Sequence, residues 1–315
     1  MHYFFRLFLL FLVFQLGSCS LLKDKKSLNQ RTQNKSTLID SENLWTADTL
    51  DKGLIHYNFT NYYAPQKAFQ HVNVVEIDPS NKKYYLDFID LLDSDSEILS
   101  KVAAKEKAIV GINASYELDV SFIKTNGKVK NEISIEEGHL RSWKYEGAIF
   151  YNSDGTLKID YGTNEDYLNS AYENIYSGSP MLIYNFEPIG RNFVGDITDL
   201  DLSSLPYEDY RRHQGVRHPR TVYAITKHKH LLLITIDGRF PDEAEGMTAK
   251  ETTEFLTDFF QPKYALNMDG GGSTSLYIKG EIPSGIVNYP TDNGKRDHEG
   301  ERPRYNFILI KKKES

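Results

Sequence analysis

The sequence predicts a sheet-dominated α+β, or mixed α/β, single domain with a few helices. Three observations carry this. Short apolar runs of strand length recur between turn signals, only two stretches show helical spacing, and the chain holds 21 Tyr and 17 Phe. Aromatic residues suit a pleated, half-buried surface. Tyr also offers ring faces and wet hydroxyls to carbohydrate.

Taken in order, Val72 to Ile77 reads as a strand, and Asp78-Pro79-Ser80-Asn81 turns it into Tyr84 to Ile89. Ile98, Leu99, Val102 and Ala103 fall at helical spacing and predict a helix from about Ser94 to Lys105. Ala108 to Ile112 is the next strand, ending at Asn113. Asn126-Gly127 and Asp154-Gly155 each separate strand-like runs and mark hairpins. Met181 to Tyr184 follows Ser177-Gly178-Ser179-Pro180 as a short strand. Thr221 to Thr226 and Leu231 to Ile236 should pair through a turn at 227–230. Thr248-x-x-Glu251 is a capping box that opens a helix to about Phe260. Tyr264 to Met268, Thr274 to Ile278 and Tyr305 to Ile310 complete the strands.

The N-terminus predicts export. Arg6 precedes an apolar run, Leu7 to Phe14, that is shorter than the roughly 20 residues of a spanning helix. Leu16-Gly17-Ser18-Cys19 follows and resembles a bacterial lipobox. The expectation is a signal peptide over 1–18, lipidation at Cys19, a polar tether over 19–43 and one domain over 44–315. An ordinary signal peptide ending near a cysteine is the alternative. The implied location is the cell envelope, outside the cytoplasm and held to the membrane by lipid. Cys19 is the only cysteine, so neither a disulfide nor a thiolate metal site is available. A net charge of −7 argues against a nucleic-acid partner.

Four features carry chemistry. Asn267-Met268-Asp269-Gly270-Gly271-Gly272-Ser273 joins two apolar strands. Three consecutive glycines are costly to order, and a plain turn needs one or two. Without Cβ atoms, the backbone can approach a ligand and its N–H groups can form an anion nest. A tight bend between buried strands is the competing reading. Arg217-His218-Pro219-Arg220 leads into a strand and offers two arginines to phosphate or carboxylate, or else to surface ion pairs. Asp237 and Asn113 each end a buried strand. With Asp269 they make three polar strand ends that could converge.

The ordered set resembles the phosphodiester glycosidase family. Asn267 to Ser273 matches its glycine signature, Asn-hydrophobic-Asp-Gly-Gly-Gly-Ser. Pro219-Arg220-Thr221, Ile236-Asp237-Gly238, Gly246-Met247-Thr248, Ser177-Gly178-Ser179-Pro180 and Arg302-Pro303 resemble its further motifs, over about Val72 to Ile310. The chain departs from the family at Asn113-Ala114-Ser115-Tyr116-Glu117, where Asn-Gly-Gly-Phe-Phe is usual. The resemblance implies hydrolysis of a sugar–phosphodiester bond. Asp269 and Asp237 would then be base or nucleophile, and Asn113 and Ser273 would orient substrate. Arg220 and the amides of Gly270, Gly271 and Gly272 would contact phosphate, with Arg217 and Asn267 in the same binding set. The expected partner is a carbohydrate or glycosyl phosphate. No cofactor is required, although a divalent metal is compatible with two carboxylates. Two alternatives are a non-catalytic glycan-binding lipoprotein and a glycosidase of ordinary glycosides.

Overall fold

The computed structural model describes residues 44–136, 138–192 and 200–313. The signal peptide, Cys19 and the tether lie outside the described residues. All described residues belong to one compact unit, 39–315.

Among the described residues, sixteen strands are interspersed with four short α-helices. The first strands are β1 (Trp45–Asp51), β2 (Leu54–Tyr63), β3 (Ala68–Ile77) and β4 (Tyr84–Asp90), followed by helix α1 (Leu99–Lys105). Next come β5 (Val110–Asn113), β6 (Ile123–Thr125), β7 (Lys128–Asn131), β8 (Gly147–Tyr151) and β9 (Leu157–Tyr161). Then follow α2 (Asn164–Leu168), β10 (Asn174–Gly178), β11 (Met181–Tyr184) and α3 (Tyr210–Gly215). The chain continues with β12 (Arg220–Ile225), β13 (Leu231–Ile236), α4 (Ala249–Phe259), β14 (Tyr264–Asn267), β15 (Leu276–Ile278) and β16 (Asn306–Lys312).

The strands form three sheets. One has seven strands in the order β1-β2-β3-β13-β12-β14-β11, one has five as β7-β6-β10-β8-β9, and one has four as β15-β5-β16-β4. Every pairing between these strands is antiparallel. The three sheets share one core. Val75, Tyr223 and Leu233 meet Ile112, Ile308 and Ile310, and Ile149 and Tyr176 close the remaining side. Strand periodicity sorts β16 cleanly. Ile308 and Ile310 enter the central core, while Phe307 and Leu309 pack beneath α1 on Leu99, Val102 and Ala103.

The capping box at Thr248 and Glu251 forms in both directions and fixes the start of α4. Phe255 and Phe259 of this helix pack on Trp45, Phe59 and Tyr63, with ring centroids 4.8–5.9 Å apart. Asn126 and Gly127 both take positive φ, as a two-residue β6–β7 hairpin turn requires. The predicted pairing of β12 with β13 is present in full register.

The structure differs from expectation in three places. The turn at 78–81 carries the chain from the seven-stranded sheet to the four-stranded one, so β3 and β4 are not neighbours. The first helix begins at Leu99 rather than Ser94. The hairpin of β1 and β2 went unread because the middle of β1 is exposed and its residues, Thr46-Ala47-Asp48-Thr49, carry no apolar run.

Candidate active site

Strands β5, β12 and β14 end at one place, where a hydrogen-bond chain ties them together. Asn113 Nδ2 donates to the Asp269 carbonyl at 2.7 Å, and Asn113 Oδ1 accepts from the Thr221 hydroxyl at 2.9 Å and the Ser275 N–H at 3.1 Å. Thr221 also reaches Thr274 Oγ1 at 3.4 Å, and Asn288 Nδ2 donates to the Thr274 carbonyl and to Asp237 Oδ1, each at 3.0 Å. The three polar strand ends therefore do converge around the glycine loop, but two of them are structural. Asp237 is 1% exposed. It also accepts from His71 Nδ1 at 2.5 Å and the Tyr289 N–H at 3.0 Å, which leaves no face for a substrate. Asn113, also 1% exposed, is equally committed.

Three further predicted binders are held by partners within the fold. Asn267 Nδ2 donates to Tyr116 Oη and to the Ser179 and Met268 carbonyls. Arg220 is 1% exposed and donates to the carbonyls of Met247, His213 and Val216, and burial draws its guanidinium down to about 10. It braces the loop of 213–217 from behind rather than meeting a ligand. Arg217 pairs with Glu251 and Glu245 and donates to the Gln66 carbonyl, so it fastens the start of α4. The guanidinium groups of Arg217 and Arg220 and the amide nitrogen of Asn267 are all bonded within the fold.

The glycines have local causes. A Cβ on Gly270 would sit 2.6 Å from the Pro219 carbonyl oxygen, a rigid neighbour. Gly271 has φ +61°, and a Cβ there would lie 3.0 Å from Arg239 Nη2. A Cβ on Gly272 would lie 2.7 Å from both Arg302 Nη2 and Asp292 Oδ1. The loop thus leaves room for guanidinium groups as well as for backbone. The Gly271 N–H is used by Pro219 O, so the expected three-amide nest reduces to Gly270 and Gly272, whose N–H groups have no partner among the described residues.

Asp269 is held differently. Arg304 Nη2 pairs with its Oδ2 at 2.9 Å, the Ser273 hydroxyl also stabilises the carboxylate, and Arg304 Nε is buried without a hydrogen-bond partner among the described residues. Such an atom is costly to leave unmet and marks a place for a ligand. Burial raises the Asp269 carboxyl above its usual range, Arg304 opposes the rise, and Glu117 adds to it. Glu117 moves the other way. Burial alone would raise it, but Lys144, 2.9 Å away, outweighs that and holds it below its usual range. Lys144 is 4% exposed and is shared with Glu208 at 2.6 Å.

A neutral imidazole completes the rim. Burial and the charges of Arg220, Arg239 and Arg212 push His218 down to about 3. Its ring centroid lies 6.4 Å from Tyr207 and 6.1 Å from His213, and His213 packs 4.5 Å from Trp143. Among the described residues no cluster of three or more His, Cys, Asp or Glu side chains is arranged to hold a metal ion.

Sequence reasoning missed Glu117, Lys144, Arg239 and Arg304 as site residues. Arg239 was legible, since it follows Asp237-Gly238 and its φ of +68° turns it over Gly271. Arg304 lies two residues beyond Arg302, the spacing that puts extended residues on one side. Lys144 lies in a short 3-10 turn, Ser142–Tyr145, too short to show a sequence period, and gave no signal.

This is an antiparallel three-sheet protein whose strand ends carry an acidic pair inside a ring of arginines. The sequence pattern of the phosphodiester glycosidase family matches residues 106–311. The chain belongs to that family. No curated protein matches it closely enough to count as a relative. Among solved structures, it is similar in fold to a hypothetical protein from Synechocystis, with TM-score 0.59 and 14% identity over 86% of this chain and 64% of that one. It is similar also to the catalytic domain of zebrafish N-acetylglucosamine-1-phosphodiester alpha-N-acetylglucosaminidase, auto-inhibited by its pro-peptide, with TM-score 0.58 and 18% identity over 86% of this chain and 85% of that one. The chain therefore spans 64% of the length of the Synechocystis structure.

Proposed function

We propose that the protein hydrolyses a glycosyl–phosphodiester bond in a glycan or glycoconjugate outside the cytoplasm, while tethered to a membrane through lipid on Cys19. The observation that carries the reading is the split carboxylate pair. Asp269 is raised and Glu117 lowered beside three arginines, which is the arrangement that divides acid from base at one pH.

In this reading Arg239, Arg302 and the free amides of Gly270 and Gly272 hold the phosphodiester. Glu117, as carboxylate, takes a proton from water as its oxygen bonds to the anomeric carbon. The carbon–oxygen bond to phosphate breaks, and protonated Asp269 returns a proton to the leaving phosphate. The phosphate is a weak base, so the larger part of the barrier falls to charge placement by the arginines. The sugar would stack near Trp143 and Tyr207. N-acetylglucosamine is the first sugar to try, because the zebrafish enzyme is named for it.

The test is release of free sugar from an N-acetylglucosamine-1-phosphodiester by the full chain, beside Asp269→Asn. Turnover by the wild type alone is expected. Equal turnover by Asp269→Asn removes that residue from the chemistry. Incorporation of labelled fatty acid by wild type but not by Cys19→Ser checks the anchor.

A further inference from the structure

The short 3-10 turn Ser142–Tyr145 is a wall with two faces. Trp143 and Lys144 point into the active cleft, toward His213 and Glu117. Ser142, Tyr145 and the following Glu146 line a separate, shallow and open concavity of about 440 Å³, bordered on its other side by Tyr161 and the start of α2. That volume lies within the range of small-molecule sites, about 300–1,000 Å³.

The chemistry of this concavity is unlike that of the cleft. No cation lines it, and two carboxylates, Glu146 and Asp166, do. Asp166 is spent on the capping box of α2. Glu146 lies at the edge of the concavity. It accepts from the Met181 N–H at 2.6 Å, and the Ser179 hydroxyl also stabilises the carboxylate. Burial raises this carboxyl, which is the penalty of holding a carboxylate away from water. The hydroxyls of Ser142, Tyr145 and Tyr161 have no hydrogen-bond partner among the described residues. Tyr161 is 45% exposed, and its ring lies 5.0 Å from that of Tyr184, which Asp160 fixes through a 2.8 Å hydrogen bond. An aromatic face, a carboxylate at its edge and hydroxyls around it match the two surfaces of a pyranose: apolar C–H groups on one side, hydroxyl donors and acceptors round the rim. A phosphate would meet two like charges here and no counter-charge.

We propose that this concavity is a second sugar subsite that holds a neutral pyranose of an extended glycan, one turn of backbone away from the bond that is cut. This rests on the glycan-directed reading above and narrows it: the natural substrate is an oligosaccharide or polymer rather than a single glycosyl phosphate. Asp269, Glu117 and the arginines handle the charged linkage, while Tyr161 and Glu146 hold a residue further along the chain.

The test uses the full chain and three neutral tetrasaccharides, of N-acetylglucosamine, glucose and mannose, titrated by calorimetry. They carry no phosphodiester, so binding does not depend on turnover. At least one should bind, and Tyr161→Ala should weaken it by about tenfold or more, about 1.4 kcal/mol. Glu146→Gln keeps an oxygen for the Met181 N–H and should weaken binding while leaving the thermal transition in place. Neither substitution should alter turnover of a short phosphodiester. Tetrasaccharide binding without phosphodiester turnover would overturn the proposed activity and leave the subsite standing. Failure of all three tetrasaccharides to bind, unchanged affinity in Tyr161→Ala, or binding of inorganic pyrophosphate that Tyr161→Ala abolishes would each overturn the subsite.

Discussion

The wall behind the glycine loop and the surface in front of it are built on opposite principles. Behind it, Asn113, Asn267, Asp237 and Arg220 are buried and hydrogen-bonded within the fold. In front, Asp269 is held mainly by the charge of Arg304, and Arg304 Nε is buried without a hydrogen-bond partner among the described residues. Satisfied polar networks specify a backbone, whereas unmet atoms hold binding capacity in reserve. The difference teaches that a motif residue can matter to a fold's site without ever touching a substrate.

The comparison breaks first at Asp269. Asp269→Asn should lower kcat by about 10²- to 10⁴-fold, the usual worth of a proton-transferring group. Its thermal transition should stay near that of wild type, and unfolding by this substitution would place Asp269 with the wall instead. Asp237→Ala should do the reverse. It leaves His71, Asn288 and the Tyr289 N–H without their acceptor, at a cost of about 3–5 kcal/mol by chemical denaturation. Arg302→Ala should cost about 1.5–3 kcal/mol in binding, seen as a raised KM. Its side chain is 39% exposed and tied only to Asp292, so stability should hardly change.

The smallest effect is on pH dependence. In the proposed mechanism, turnover requires Glu117 ionised and Asp269 protonated. Glu117 is depressed, so activity is lost on the acid side only as pH falls through a value below 4.5. Asp269 is raised, so activity is lost on the alkaline side as pH rises through a value above 3.8. Lys144→Met removes the charge that depresses Glu117, and the acid limb of kcat/KM should move upward while the alkaline limb moves less. An unmoved acid limb would remove Glu117 as the base.

Much of this was legible in the sequence, for physical reasons. Strands such as β13 and β11 are almost wholly apolar, Thr235 excepted, because they are buried on both faces over nearly their whole length, and their bounds could be read directly. The capping box of α4 is a local rule and held. The glycine loop was legible as costly backbone, and the structure supplies the cause in Pro219 and the arginines. Which polar residue faces a ligand was not legible. Asp237 and Asp269 both follow apolar strands, and only tertiary partners such as His71 and Asn288 separate the one that is consumed from the one held mainly by charge. Glu117 and Lys144 acquire their meaning from each other, 27 residues apart, so neither stood out alone.

The hydrogen-bond chain from Asn113 through Thr221, Thr274 and Asn288 to Asp237 has a consequence for how such a protein can change. It uses no side chain from segments 140–146 or 200–212. Segments such as 140–146 and 200–212 can therefore be exchanged for others of different length and chemistry while the frame beneath keeps its shape. Selectivity is modular in this scaffold: a transplanted rim would bring a new preference to an unchanged foundation.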